Sequence, residues 1–171
     1  MVGAHYDTQA DCPGIWDDAT GLAATLEIAR GLVGSNPQRT VVAVAFAAEE
    51  IGCYGSTVFA ESRCGGPDGM AGMVNLDGLG SRLRGKRALL ADEGTAEFAT
   101  VCTSEMGWEP EEFFDTWLHP ASDYFPFVDR GVPACQILEF PPMNPYYHTR
   151  ADVRSLVDPL AVAEMATVSG G

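Results

Sequence analysis

The fold is decided by residues 40–47, which read Thr-Val-Val-Ala-Val-Ala-Phe-Ala. After its first residue the stretch is wholly apolar, with no polar residue alternating through it. A continuous apolar run of this length is typical of a strand buried on both faces, inside a sheet that is covered on its two sides. We therefore predict that residues 40–47 form an internal strand of a mostly parallel sheet.

Strand-like and helix-like segments alternate on both sides of this stretch. Further strands are predicted over residues 1–6, 69–76, 87–91 and 132–138. Helices are predicted over residues 17–34, 54–62, 95–106, 123–130 and 159–168. Such alternation predicts an α/β fold, specifically a three-layer α/β/α sandwich with helices on both faces of a mostly parallel, mixed sheet. A chain of 171 residues suits one domain, spanning residues 1–171.

The charge balance of the chain excludes two classes of partner. Its formal net charge is −14, and Lys86 is its single lysine. An acidic surface argues against binding to nucleic acid or to anionic membranes. No apolar run reaches the roughly 18 residues of a membrane-spanning helix, and the sequence leaves the oligomeric state open.

Polar residues follow several of the predicted strands at the point where each strand ends. His5 ends the first strand, the pair Glu49 and Glu50 follows residues 40–47, and Asp77 follows the next strand. The carboxyl ends of parallel strands form the edge of an open α/β sheet where ligands bind. We therefore expect these segments to deliver their side chains to one crevice.

These residues have the chemistry of metal ligands. Asp17 offers two oxygens that could bridge two cations, and His148 supplies a late imidazole. Taken singly, each has an ordinary explanation as a helix cap, a surface pair or a hydrogen-bonded histidine. Taken together they favour a metal, because acids that end buried strands are costly without a compensating cation. The mixed nitrogen and oxygen set favours zinc over magnesium or calcium, with cobalt or manganese as substitutes.

The local spacing separates the roles of neighbouring residues. His5 and Asp7 point to the same side of an extended segment, so Asp7 can reach the second ring nitrogen of His5 or a nearby group. The side chains of Glu49 and Glu50 diverge because the two residues are adjacent. One of these glutamates can therefore bind metal while the other faces the reacting water.

Six segments in this order carry a resemblance to a known family. They are Gly-Ala-His-Tyr-Asp-Thr at 3–8, Asp-Asp-Ala-Thr-Gly at 17–21, Glu-Glu-Ile-Gly-Cys-Tyr-Gly-Ser at 49–56, Asn-Leu-Asp at 75–77, Ser-Asp-Tyr-Phe-Pro-Phe at 122–127 and Tyr-His-Thr-Arg-Ala-Asp at 147–152. The chain resembles the di-zinc aminopeptidases of the bacterial leucyl aminopeptidase type, whose relatives include glutamate carboxypeptidases and glutaminyl cyclases. The resemblance implies a zinc-exopeptidase-like fold, two Zn²⁺ per chain and a peptide substrate.

The resemblance also implies a role for each candidate residue. Asp17 would bridge the two zinc ions, and Glu49 would act as the general base. Asp7 would support His5, and Tyr147 would stabilise the oxyanion of the reaction. The remaining metal ligands would be His5 and Asp77 for one ion, and Glu50 and His148 for the other.

The resemblance leaves three functions open besides that of an aminopeptidase. A carboxypeptidase would need a cation for the substrate carboxylate, for which Arg130, Arg150 and Arg154 are available. A glutaminyl cyclase with a single zinc ion and an inactive member of the family also stay open.

Family members carry a segment before the first strand, so we expect an N-terminally truncated domain whose uncovered apolar edge promotes self-association. Resemblance alone also predicts an extracellular location.

Overall fold

The computed structural model describes residues 1–63, 69–83, 85–91, 94–105, 109–115, 122–140 and 144–166. The strands are β1 (Val2–His5), β2 (Ala43–Phe46), β3 (Met73–Leu76), β4 (Lys86–Ala91), β5 (Glu112–Asp115) and β6 (Ala134–Phe140). The helices are α1 (Thr20–Gly31), α2 (Tyr54–Arg63), α3 (Ala96–Glu105), α4 (Phe125–Val128) and α5 (Pro159–Met165).

Within the described residues the strands form one mixed sheet in the order β2-β1-β3-β6-β4-β5. The first four strands of this order are mutually parallel. Strand β4 runs antiparallel to β6, and β5 is parallel to β4. The carboxyl ends of β2, β1, β3 and β6 therefore lie side by side at one edge of the sheet.

Each face of the sheet is covered by its own helices. On one face α1, α3 and α5 pack against a cluster that contains Leu76, Leu89 and Ile137. On the other face α2 and α4 pack against a cluster that contains Phe46 and Leu90. Successive strand residues such as Leu89 and Leu90 enter opposite clusters, as the pleat of a strand requires. The predicted α/β fold with helices on both faces of a mostly parallel sheet is confirmed.

The prediction for residues 40–47 is wrong in two respects. The strand is shorter, Ala43–Phe46, and it lies at the edge of the sheet with β1 as its neighbour. Of its four residues only Phe46 is buried, while Val41 and Val42 before it are 42% and 41% exposed. An apolar run indicates that a segment tends to be buried. It does not indicate which strands will lie beside that segment in the sheet. Among the described residues β2 is therefore an apolar edge strand, and self-association through it stays a prediction.

The segment before α1 also differs from the prediction. Helix α1 begins at Thr20, whereas Asp17 and Asp18 lie in a kinked turn with non-helical backbone angles, joined by a cis peptide bond. A side chain at Gly21 would collide with the Leu76 carbonyl and the Asp18 carboxylate, so glycine allows α1 to approach the end of β3. Asp18 Oδ1 accepts hydrogen bonds from the N–H groups of Gly21, in the first turn of α1, and of Gly78, just after β3.

Other predicted elements are found with shifted ends. Strand β5 was not predicted, because Glu-Phe-Phe-Asp lacks the continuous apolar character of a buried strand. The predicted helix ends at Met106 and Val168 lie outside the described residues. No helix in the described part of the chain is both long and apolar enough to cross a membrane.

Candidate metal centre

Four parallel strands bring the predicted ligands to one edge of the sheet. His5 is the last residue of β1, and Asp77 directly follows β3. Glu49 and Glu50 follow β2 after a short turn, and His148 lies in the segment that follows β6. Two groups of possible metal ligands form here: the His5 group (His5, Asp17 and Asp77) and the His148 group (Asp17, Glu50 and His148).

Asp17 belongs to both groups because its two oxygens face different imidazoles. Its Oδ1 lies 3.1 Å from His5 Nε2, and its Oδ2 lies 3.1 Å from His148 Nε2. The kinked turn before α1 holds this side chain between the ends of β1 and the His148 segment. Asp17 therefore offers one oxygen to each ligand group.

The His5 group is the more deeply buried of the two. His5 is 1% exposed, and its Nε2 lies 3.8 Å from Asp77 Oδ1. The other ring nitrogen, Nδ1, lies 3.0 Å from the backbone carbonyl oxygen of Asp7. This contact favours the tautomer with a proton on Nδ1, which leaves Nε2 as the nitrogen that could bind a metal.

The His148 group is closer to solvent. His148 Nε2 lies 3.0 Å from Glu50 Oε2, and the His148 side chain is 35% exposed. His148 has a positive φ of 57°, a backbone conformation that non-glycine residues adopt rarely and at a cost. The His148 ring therefore approaches the buried oxygens of Asp17 and Glu50 from a partly exposed loop. This side of the centre is accessible to solvent.

Glu49 lies beside the centre without belonging to either group. Its Oε2 is 3.9 Å from His5 Nε2, and its Oε1 accepts a hydrogen bond from the Cys53 thiol at 3.8 Å. Burial, followed by the negative charge of Asp77, raises the pKa of Glu49 to about 8. A pKa near neutral pH suits a group that first accepts a proton and then releases it.

Asp7 supports the centre through both its carbonyl oxygen and its carboxylate. Its carboxylate lies 3.8 Å from His5 Nδ1, and the close contact to that nitrogen comes from the Asp7 carbonyl. The two carboxylate oxygens accept hydrogen bonds from the backbone N–H groups of Glu49 and Glu50, at 3.1 and 3.2 Å. Asp7 therefore fixes the turn that presents both glutamates.

Several buried acids lie close together in the centre, and each shifts the pKa of its neighbours. Burial and the charge of Asp17 raise the pKa of Asp77 to about 6. Burial disfavours the charged form of His5, but Asp17, Asp77, Asp18 and Glu49 together raise its pKa to about 11. Within the described residues, one buried oxygen of each of Asp17 and Asp18, Oδ2, has no hydrogen-bond partner.

A metal would compensate the unpaired oxygen of Asp17. That oxygen, Oδ2, faces the His148 nitrogen without a hydrogen bond to it. Atoms that each lie about 2.1 Å from one zinc ion stand about 3.4 Å apart in a tetrahedral shell. The four separations between an imidazole nitrogen and a carboxylate oxygen of its group, 3.0–3.8 Å, are compatible with such a shell. The donor set, imidazole nitrogen with carboxylate oxygen, is one that zinc accepts.

Tyr147 lies at the rim of the centre. Its ring stacks on His148 with centroids 3.6 Å apart and meets the edge of Trp16 at 6.0 Å. Burial and the nearby acids, Asp17 first among them, raise the pKa of its hydroxyl. The phenol therefore keeps its proton at neutral pH and remains a hydrogen-bond donor, although its role toward an oxyanion stays a prediction.

Several supporting residues escaped the sequence analysis. Gln136, on β6, donates to Asp77, and Gln9 donates to Glu50. Asp152 is 1% exposed and accepts hydrogen bonds from the backbone N–H groups of Trp16 and Asp17, at 2.8 and 3.2 Å. A lone glutamine inside an apolar strand was a usable signal for Gln136, whereas the sequence carried none for Gln9.

Replacing Asp152 should loosen the turn that carries Asp17. In Asp152→Asn one carboxylate oxygen becomes an NH₂ group, which cannot accept the hydrogen bond of a backbone N–H. Leaving one buried N–H unpaired should lower the free energy of unfolding by about 1–3 kcal/mol, measurable by urea denaturation. Asp158→Asn is the matched control, since Asp158 caps α5 through Leu160 N–H and asparagine caps helices equally well. Equal losses in the two variants would contradict this role for Asp152.

Comparison with known proteins shows the family to which the chain belongs. Residues 1–170 match the family described as peptidase family M28, and the chain belongs to that family. It is 38% identical over 89 residues to a probable zinc metalloprotease of Pyrenophora tritici-repentis, an alignment that covers 47% of this chain and 20% of the relative.

Solved structures share the fold across almost the whole chain. An aminopeptidase from Aneurinibacillus sp. strain AM-1 superposes with a TM-score of 0.82 at 26% identity, over 98% of this chain and 41% of that one. BSAP, a zinc aminopeptidase from Bacillus subtilis, superposes with a TM-score of 0.84 at 22% identity, over 98% of this chain and 43% of that one. The chain thus spans less than half the length of these aminopeptidases.

Proposed function

We propose that the chain is a zinc aminopeptidase that binds two zinc ions, one in the His5 group and one in the His148 group. The observation that carries the proposal is the position of Asp17, whose two oxygens face the two imidazoles at 3.1 Å each. Family membership and the similar zinc aminopeptidase fold support zinc as the metal. Cobalt or manganese would substitute in the same donor set.

The residues around the two groups suit the hydrolysis of a peptide bond. Bound zinc supplies a Lewis acid and lowers the pKa of the water that it holds to about 7. Glu49 accepts the proton of the attacking water, because its carboxylate lies next to the His5 group and is not part of it. Glu49 then returns this proton to the departing amine nitrogen. Tyr147 donates its hydroxyl proton as a hydrogen bond to the developing oxyanion.

The charges near the centre favour a substrate with a free amine. The carboxylates of the two groups, with Glu49, attract a cationic α-amine. Two arginines that a carboxypeptidase could use have partners elsewhere: Arg130 binds Glu61 and the Pro126 carbonyl, and Arg150 binds Asp11. Arg154 lines a groove between α1 and α5. These contacts support aminopeptidase over carboxypeptidase action.

The test combines metal analysis with two substrates on one sample of the full chain. We expect two zinc ions per chain and hydrolysis of leucine p-nitroanilide, with no hydrolysis of an N-blocked dipeptide that has a free carboxylate. Cleavage of the blocked dipeptide alone would favour a carboxypeptidase. One zinc per chain, with ammonia released from peptides that begin with glutamine, would favour a glutaminyl cyclase. Two bound zinc ions without any hydrolysis would indicate an inactive member of the family.

A further inference from the structure

Two glutamine side chains contact the candidate centre, and each contacts a different ligand group. Gln136 is 5% exposed on β6, and its Nε2 donates to Asp77 Oδ2 at 3.0 Å. Gln9 lies in the loop after β1, and its Nε2 donates to Glu50 Oε2 at 2.9 Å. Asp77 belongs to the His5 group alone, and Glu50 belongs to the His148 group alone.

The hydrogen bond from Gln136 determines which oxygen of Asp77 is available to bind a metal ion. Asp77 Oδ2 accepts a second hydrogen bond, from the Ser122 hydroxyl at 2.9 Å. The remaining oxygen, Oδ1, faces His5 Nε2 at 3.8 Å. With two donors on Oδ2, Asp77 offers a single oxygen to an ion in the His5 group.

Gln9 constrains Glu50 at three points. Its backbone N–H donates to Glu50 Oε1 at 3.0 Å, and its Nε2 donates both to Oε2 and to the Glu50 carbonyl, at 2.9 and 3.1 Å. The oxygen that receives the side-chain amide also lies 3.0 Å from His148 Nε2. Gln9 therefore orients the Glu50 carboxylate toward His148.

We propose that Gln136 and Gln9 are positioning residues that tune the two metal sites separately, Gln136 acting on the His5 group and Gln9 on the His148 group. The proposal rests on the proposed two-metal function. An amide suits this task because it donates a hydrogen bond to a carboxylate without adding a charge that would compete with the metal. Loss of such a supporting contact typically lowers metal affinity by about 10- to 100-fold.

The two glutamines serve as matched controls for each other. Gln136→Met and Gln9→Met remove the amide donor and keep a side chain of similar length. In a chelator competition titration of the full chain with Zn²⁺, each variant should weaken one of the two binding steps by about 10- to 100-fold and leave the other within a few-fold of wild type. Gln136→Leu provides a second test if the methionine variant fails to fold.

A variant that lacks His148 shows which metal site each glutamine affects. His148→Ala should leave one tight zinc site, in the His5 group. In that background Gln136→Met should still weaken zinc binding, whereas Gln9→Met should not. The visible absorption spectrum of bound Co²⁺ should change in the same pattern, because it reports the ligands around the ion.

Two results would overturn the inference. Variants that bind both ions as tightly as wild type would show that the amides do not position the ligands. Variants that weaken both steps equally would show a general effect on packing. In each case wild type still binds two ions, so the proposed function stands. A wild-type chain that binds fewer than two ions would instead overturn the proposed function, and this inference with it.

Discussion

Glu49→Gln should lower kcat on leucine p-nitroanilide by about 10²- to 10⁴-fold, the usual contribution of a general base. The amide keeps the size of the side chain and cannot accept the proton of the attacking water. Glu49 belongs to neither ligand group, so we expect the variant to hold as much zinc per chain as wild type. Steady-state kinetics and metal analysis of the same preparation measure the two quantities.

The adjacent residue provides the control for this experiment. Glu50 lies 3.0 Å from His148 Nε2 within the His148 group, so Glu50→Gln should lose activity together with one zinc ion. If Glu49→Gln also lost zinc, Glu49 would be a ligand and not the base. If Glu49→Gln kept full activity, the base would lie elsewhere in the centre.

Removal of metal should lower the melting temperature by about 15 °C or more. A ligand at a thousand times its Kd stabilises the folded state by about 4 kcal/mol per site. In a domain of about 150–250 residues, each kcal/mol moves Tm by about 2–4 °C. Two sites that compensate the buried carboxylates of Asp17, Glu50 and Asp77 should therefore have a large combined effect.

The loss of stability on metal removal should grow as pH rises. Burial raises the pKa of Glu49 from 4.5 to about 8, of Asp77 from 3.8 to about 6 and of Asp123 from 3.8 to about 7. The folded, metal-free protein then binds more protons than the unfolded chain between about pH 4 and pH 8, so its unfolding free energy falls with rising pH. His5, with a pKa raised from 6.5 to about 11, adds stability below pH 6.5 that is lost as pH rises toward 11, which is the same direction.

Thermal melts of EDTA-treated and zinc-loaded protein at acid and alkaline pH measure this effect. We expect the two melting temperatures to lie closest at about pH 5 and furthest apart at about pH 8, because metal binding requires ionised carboxylates. Metal-free Glu49→Gln should melt above metal-free wild type at the higher pH, since it lacks one buried acid. A metal-free melting temperature that rose between these pH values would contradict the role of buried acids.

Much of the fold could be predicted because the apolar segments are well separated in the sequence. Strand β1 and helix α2 appear close to their predicted bounds. The failure at residues 40–47 has a physical cause, since the order of strands in a sheet depends on tertiary contacts that a local run does not encode. Strand β5 pairs with β4 through its backbone. Backbone pairing does not depend on a particular side-chain pattern, so it could not be predicted from four residues with acids at both ends.

The residue types of the candidate centre could be predicted, but their supporting contacts could not. The carboxylates and imidazoles stood out because they are costly at the ends of buried strands. By contrast, Asp7 acts through its carbonyl oxygen on His5 and through its carboxylate on the Glu49 and Glu50 backbone. Contacts of this kind depend on the path of the main chain, and that path follows from the assembled fold and not from spacing along the sequence.

The wide separation of the candidate ligands along the sequence also bears on when the centre can form during synthesis. Asp17 must meet His5 near the start of the chain and His148 near its end. Pairings between residues so distant in sequence form late and slow the folding of a domain. While the ribosome still holds residue 148, the growing chain already contains all three residues of the His5 group, but the His148 group lacks its imidazole. If zinc binds as proposed, the His5 group could hold an ion before synthesis is complete, whereas the His148 group could do so only after residue 148 has left the ribosome.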